Sequence, residues 1–374
     1  MLQKKRILIC PLDWGLGHAT RCIPIIELLL KKNAEVLIAG NGRSLSLLKI
    51  EFPSLTFIDL PGYDIKYTEG SMILKMLFSS PMIFKGIKTE HKRLKKIISE
   101  NKIDVVISDN RFGLWNKQIK TIFITHQLLI KSPVAERLLY RINRHYIKKF
   151  TECWIPDNEG KDNLSGELSH PYPIPLNAFY IGLLSRFIHN SSRIGLPVLE
   201  LKKLYDVMVI ISGPEPQRSI FEELILNQAQ HIPINFLVVR GITEDIPILE
   251  RKGNLDIVSH LRRDLMHNAI LSSSIIISRS GYSTIMDLAV LKKKAIFIPT
   301  PGQTEQEYLA IRCMNKRIAY FQTQKKFNLK TALEESKKYD GFSDHNDSKL
   351  EERVDLILND VVPTTEKAVY ATPV

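Results

Sequence analysis

Cysteine is scarce in these 374 residues: Cys10, Cys22, Cys153 and Cys313 are widely scattered, with no Cys-x-x-Cys pair and no histidine at ligand spacing. That argues against a disulfide framework or a zinc site, and no metal is expected. Long apolar runs are missing too, since Lys or Arg interrupts each one well short of the ~20 residues a membrane span needs. The first ten residues hold charges and a short apolar run that ends before Pro11 and Asp13, too brief for a signal peptide. The sequence therefore reads as cytoplasmic. Acidic residues are few in the first 150 positions, where 12 Asp/Glu face 26 Lys/Arg, so the formal charge of +12 belongs to the N-terminal half. Such a field favours an anionic partner: a phospholipid surface, a phosphorylated acceptor or nucleic acid. No recognisable nucleic-acid module or aromatic–basic interleaving accompanies it, so nucleic acid is not the expected partner.

What is present is alternation. Arg6 to Cys10, Glu35 to Ala39, Thr56 to Leu60, Asp104 to Ser108 and Thr121 to Thr125 read as strands, with helical patterns between most of them. After Cys153 the pattern decays into Asp157 to Asn177, which reads as a loop. A second alternation follows, with strands at Val207 to Ile211, Phe236 to Val239, Ile257 to Ser259, Ile275 to Ser278 and Ala295 to Ile298. Strands joined through helices imply right-handed crossovers and parallel order. The expectation is an α/β protein with two Rossmann-like, doubly wound parallel-sheet domains facing each other across a cleft. Their bounds are residues 1–180 and 206–327, with a connector at 181–205 and helices and a loose tail at 328–374.

Candidate chemistry sits at strand-to-helix turns. Asp13-Trp14-Gly15-Leu16-Gly17-His18 follows the first strand, and glycines there let the backbone turn tightly beside an anion. His18 can deprotonate an acceptor hydroxyl, or can simply bond within a helix start. Asp109 and Arg111, then His126, follow later strands and are expected to face the same crevice; Asp109 or His126 can assist or replace His18. In the second half, Ser280-Gly281 opens a helix whose first N–H groups, at Tyr282, Ser283 and Thr284, suit a diphosphate; Asp287 can accept from a ribose diol. An acidic residue early in a helix is also an ordinary stabilising feature. Ser212 and Gly213 form another nest, with Arg218 nearby. Gln303, Glu305 and Gln306 supply amide and carboxylate groups that suit sugar hydroxyls.

At these residues the chain resembles the MurG-like GT-B glycosyltransferases, of the glycosyltransferase family 28 C-terminal type. Its most specific part is Ser278-Arg279-Ser280-Gly281 with Thr284 and Asp287, then Pro299-Thr300-Pro301-Gly302-Gln303 with Glu305-Gln306. The resemblance implies that the Gly281 turn binds a UDP diphosphate and Asp287, where the family has Glu, the ribose. It also implies that Gln306 reads the donor sugar, although Leu309 replaces the usual Asn, that His18 stands near the acceptor, and that the loop at His260 and Leu261 grips uracil. The implied reaction moves a hexose or N-acetylhexosamine from a UDP-sugar to an acceptor hydroxyl, inverting and without metal or other cofactor. A UDP-sugar epimerase of the same fold and a nonenzymatic nucleic-acid-binding protein are the alternatives. The apolar, Lys-edged stretches at 71–78 and 81–85 suggest either packed helices lining an acceptor groove or contact with an anionic membrane carrying a lipid-linked acceptor.

Overall fold

Ile7 to Cys10 and Val105 to Ile107 are buried, as central strands covered on both faces by helices must be. In a computed structural model, which describes residues 4–62, 80–132, 135–188, 204–242, 248–344 and 348–359, they form β1 (Arg6–Pro11) and β4 (Val105–Asp109). Around them lie β2 (Glu35–Gly40), β3 (Thr56–Asp59), β5 (Lys120–Ile124), β6 (Glu152–Ile155) and β7 (Ala178–Tyr180). The order is β3-β2-β1-β4-β5-β6-β7, every pairing parallel.

The second sheet repeats the plan. β8 (Tyr205–Ile210), β9 (Phe236–Val239), β10 (Leu249–Lys252), β11 (Leu255–Val258), β12 (Ser273–Ser278), β13 (Ala295–Phe297) and β14 (Tyr320–Phe321) run in the order β10-β11-β9-β8-β12-β13-β14. Only the β10–β11 pairing is antiparallel among the described residues, a hairpin at the sheet edge.

In each sheet the strand order reverses once near the middle, between β1 and β4 and between β8 and β12. Loops leaving the carboxyl ends of those strands diverge and open a crevice, the position where open α/β sheets bind ligands. The helix Leu16–Lys31 follows β1 and the helix Tyr282–Val290 follows β12; residues of both belong to one apolar cluster that spans the two domains. The chain then returns to the first domain. The helix Leu350–Leu358 docks there through Lys32, whose Nζ lies 2.7 Å from Asp355 and 2.9 Å from Glu351, and Arg353 stacks over Phe179 at 3.4 Å.

Four short strands lie outside the sequence expectation: β6, β7, β10 and β14. The stretch expected to be a plain loop after Cys153 is instead ordered around buried Asp157, whose carboxylate accepts from the amides of Asn158, Leu164 and Ser165. Residues 71–78 lie outside the described residues, as do the side chains of 81 and 82. Among the described residues no helix is long and apolar enough to cross a membrane.

Candidate active site

Gly15, at φ 92°, turns the chain into the helix Leu16–Lys31 without a side-chain cap, because Asp13 is directed instead at the amide of Ser44, 2.9 Å away. One turn of that helix carries His18 and Arg21, three residues apart and so on one face. Asp109 ends β4, the strand beside β1, and meets both. Arg21 Nε donates to Asp109 Oδ2 at 2.6 Å, Arg21 Nη2 donates to Oδ1, and His18 Nδ1 is 3.1 Å from Oδ1. Arg21 Nη2 also lies 2.8 Å from His18 Nδ1, and Nη1 lies 3.1 Å from Nδ1 of His126, in the loop after β5.

These groups are buried, and their charges answer one another. Burial alone would raise the Asp109 carboxyl; Arg21, then His18, overcomes that and holds it at about 2. Burial pushes the His18 imidazole below its ordinary value, with Asp109 opposing and Arg21 reinforcing the shift. Asp109 is thus an enclosed carboxylate held ionised by its neighbours. His126 has both nitrogens engaged, since Nε2 lies 2.7 Å from Glu305 Oε1, and its ring stacks on Tyr282 at 4.4 Å. His18 Nε2 has no partner among the described residues and is the nitrogen free to take a proton.

The second domain supplies the opposite face. Gly281 caps the helix Tyr282–Val290 in an extended conformation, with no side chain bonded to the first turn. Helix-start amides without a side-chain partner carry a partial positive charge and attract anions. Beneath the turn, Arg279 is buried with no carboxylate partner among the described residues; burial lowers it to about 10. Its guanidinium donates to the carbonyls of Ile298 (3.0 Å) and Gln217 (2.8 Å) and stacks over Phe221, fastening the loops after β8 and β13 to one another. Gly213, at φ 114°, brings the first of these loops so close that a Cβ there would lie 3.6 Å from Thr300 Oγ1. Both Thr300 Oγ1 and Ser278 Oγ are buried without a hydrogen-bond partner. The helix-start amides and the buried guanidinium two residues before Gly281 give this turn a positive character.

The two faces touch. Ser283 Oγ donates to the carbonyl of Gly17 at 3.0 Å, and a Cβ on Gly17 would come within 2.8 Å of that oxygen, so glycine is needed for the approach. Tyr282, one residue earlier, donates to the carbonyl of Pro156 at 2.9 Å.

Several expected contacts are corrected by this geometry. Arg111 does not face the crevice: it is buried against Glu90, 2.7 Å away, and the carbonyls of Leu60 and Pro61. Arg218 is neutralised by Glu215 at 2.5 Å and Glu222 at 2.7 Å, which leaves no charge for a diphosphate. The Ser280 hydroxyl donates to the carbonyl of Gln306, so only backbone groups of that turn remain for a ligand. Gln306 accepts from the Thr300 amide at 2.8 Å and donates to Gln303, which makes both glutamines staples of their own loop. Asp287 accepts from Ser185 at 2.7 Å and lies 3.4 Å from Arg186, so it is engaged by the connector; burial raises its carboxyl. Glu305 reaches across to His126 in place of a sugar. Burial opposes its ionisation, but His126 and Arg21 hold it below the usual value. Thr284 is half-buried in the first turn of its helix. His260 follows β11, two strands from the β8–β12 reversal, and Leu261 is buried in the core. Arg21 was missed in the sequence, although its position three residues after His18 in a helix is the signal that finds it.

The fold is the one seen in GT-B glycosyltransferases. SnogD from Streptomyces nogalater superimposes with a TM-score of 0.61 at 13% identity, covering 96% of this chain and 95% of that one. MurG of Acinetobacter baumannii does so at 0.55 and 12%, covering 95% and 99%. Residues 221–357 match the model of the glycosyltransferase family 28 C-terminal domain. In sequence the chain is 23% identical over 312 residues to the UDP-N-acetylglucosamine–N-acetylmuramyl-(pentapeptide) pyrophosphoryl-undecaprenol N-acetylglucosamine transferase of Amoebophilus asiaticus, covering 77% of this chain and 78% of that protein. Over most of its length the chain is similar to MurG-type glycosyltransferases, and residues 221–357 carry the family's C-terminal domain.

Proposed function

We infer that this enzyme moves a hexose or N-acetylhexosamine from a UDP-sugar to an acceptor hydroxyl, with inversion and without a metal. The observation that carries the reading is the 3.0 Å hydrogen bond from Ser283 to Gly17, because it sets the His18 turn against the first turn of an uncapped helix. With its Nδ1–H directed at Asp109, His18 takes the acceptor proton on Nε2 while the acceptor oxygen bonds to the anomeric carbon. The bond from that carbon to the diphosphate breaks on the opposite face, which inverts the configuration. Amides after Gly281 and the Arg279 charge receive the departing diphosphate, a task that in other enzymes falls to a metal ion.

The relative from Amoebophilus is named for a UDP-sugar donor and a pyrophosphoryl-undecaprenol acceptor, which supports a UDP donor and a lipid-linked or glycan acceptor here. Lys85, Lys88, Lys92, Arg93, Lys95 and Lys96 are exposed on the helix Ser80–Asn101, a face suited to the anionic inner surface of a membrane. The enzyme then works in the cytoplasm as a peripheral protein. A thermal-shift series with UDP, GDP, dTDP and their sugars tests the donor. Stabilisation by UDP compounds alone, followed by acceptor-dependent UDP release, is the expected result; no response to any nucleotide overturns the reading.

A further inference from the structure

Arg21 touches Asp109, His18 and His126, and a guanidinium can only donate. Each imidazole nitrogen it reaches must therefore accept. His126 meets that demand, taking a hydrogen bond on Nδ1 and giving one to Glu305 from Nε2–H. His18 does not, because its Nδ1 stands 2.8 Å from a donor, Arg21 Nη2, and 3.1 Å from an acceptor, Asp109 Oδ1. Only one of the two contacts can be made at a time. The bond to Asp109 leaves Nε2 as a base, whereas the bond from Arg21 puts the proton on Nε2.

We propose that Arg21 is a positioning residue that sets the proton state of His18: by bonding both oxygens of Asp109 it weakens the carboxylate's hold on the imidazole proton, so that the buried ring stays neutral in mildly acidic solution. An unshielded carboxylate beside an imidazole would favour the imidazolium, which cannot act as a base. The charged groups facing His18 are Arg21 on its own helix, Asp109 at the end of β4, His126 after β5 and Glu305 at the start of the helix Thr304–Asn315. Asp109 is the carboxylate in contact with the ring, and both its oxygens are bonded to Arg21. The proposal rests on His18 being the base.

The test follows the His18 ring by nitrogen NMR across pH, together with kcat/KM, in the wild type, Arg21→Met and Asp109→Asn. In Arg21→Met the His18 titration is expected to rise by about one pH unit or more, and the acid limb of kcat/KM to rise with it. In Asp109→Asn the titration falls and the ring shifts to the Nε2–H form, because the cation becomes the stronger partner of Nδ1. An unchanged His18 titration in Arg21→Met overturns the proposal. Should that variant not fold, Asp109→Asn decides alone: a ring that keeps both its pKa and its Nδ1–H form overturns it. A titration that moves while the acid limb stays put supports the role of Arg21 and removes His18 as the base, so the two ideas fail separately.

Discussion

The two faces of the site are built on opposite terms. On the first domain, Asp109, Arg21 and His126 have their polar atoms matched, and the exception is the Nε2 of His18. On the second domain the charge is less well answered: among the described residues Arg279 is bonded to carbonyl and amide oxygens but to no carboxylate, the hydroxyls of Thr300 and Ser278 have no partners, and no side chain caps the helix after Gly281. A saturated cluster is preorganised and holds a reactive nitrogen in one orientation. One left less satisfied stores a cost that an incoming anion relieves, which is how a site gains affinity for a diphosphate without spending a lysine on it.

The largest effect that would break this contrast is on the first face. His18→Gln is expected to lower kcat by about 10²- to 10⁴-fold, the usual worth of a general base, with UDP affinity changed less than twofold. Equal losses in both would mean that the two faces are not separable. On the second face, Arg279→Gln is expected to weaken UDP by about tenfold to a hundredfold, the size of one unscreened charge near a diphosphate. Isothermal titration checks it, and the same variant should leave the His18 titration in place.

A third expectation concerns acid. Asp109 titrates at about 2 in the folded protein against an ordinary 3.8, so the unfolded chain binds the extra proton and stability rises with pH across that interval. The contribution, about 2 kcal/mol at 1.36 per pKa unit, is whole above pH ~4 and is lost as the pH falls through 2. Urea unfolding between pH 5 and pH 2.5 should show this loss in the wild type and a shallower slope in the double variant Arg21→Met, Asp109→Asn. An identical slope would remove the ion pair from the account.

How much of this was legible in the sequence follows from the range of each interaction. The central strands β1, β4, β8 and β12 each contain a short apolar run because both their faces are covered, and such runs are visible locally. β14 has two residues and β10 exposes Glu250, Arg251 and Lys252; both exist through pairing with a neighbour, which no local pattern records. The glycine turns at Gly15 and Gly281 were readable because a strand followed by glycine and a helix marks a crevice in any doubly wound sheet. The partners of their polar neighbours were not. Arg21 meets Asp109 across 88 positions and His126 meets Glu305 across 179. Gln306 and Asp287 read as ligand groups because they are polar and well placed, but a polar side chain also satisfies its own surroundings, and here the amide of Thr300 and the hydroxyl of Ser185 engage them.

The smallest expected effect separates a glycine kept for folding from one kept for the ligand. Gly281 sits at φ −67° and ψ 141°, a conformation open to any residue, and a Cβ added there meets nothing within 4 Å. Packing therefore does not require glycine here, but alanine is the poorer N-cap and offsets the gain from a stiffer unfolded chain, so Gly281→Ala should change stability by less than about 1 kcal/mol. The empty space around that Cβ is the approach to the helix-start amides, so the same methyl should collide with a phosphate oxygen and weaken UDP several-fold. Gly17 is the contrast, since a methyl there strikes Ser283 and should cost stability with or without nucleotide. Unfolding curves with and without UDP measure both at once. If Gly281→Ala binds UDP as well as the wild type does, the diphosphate does not sit on this turn, and the buried charge of Arg279 needs another explanation.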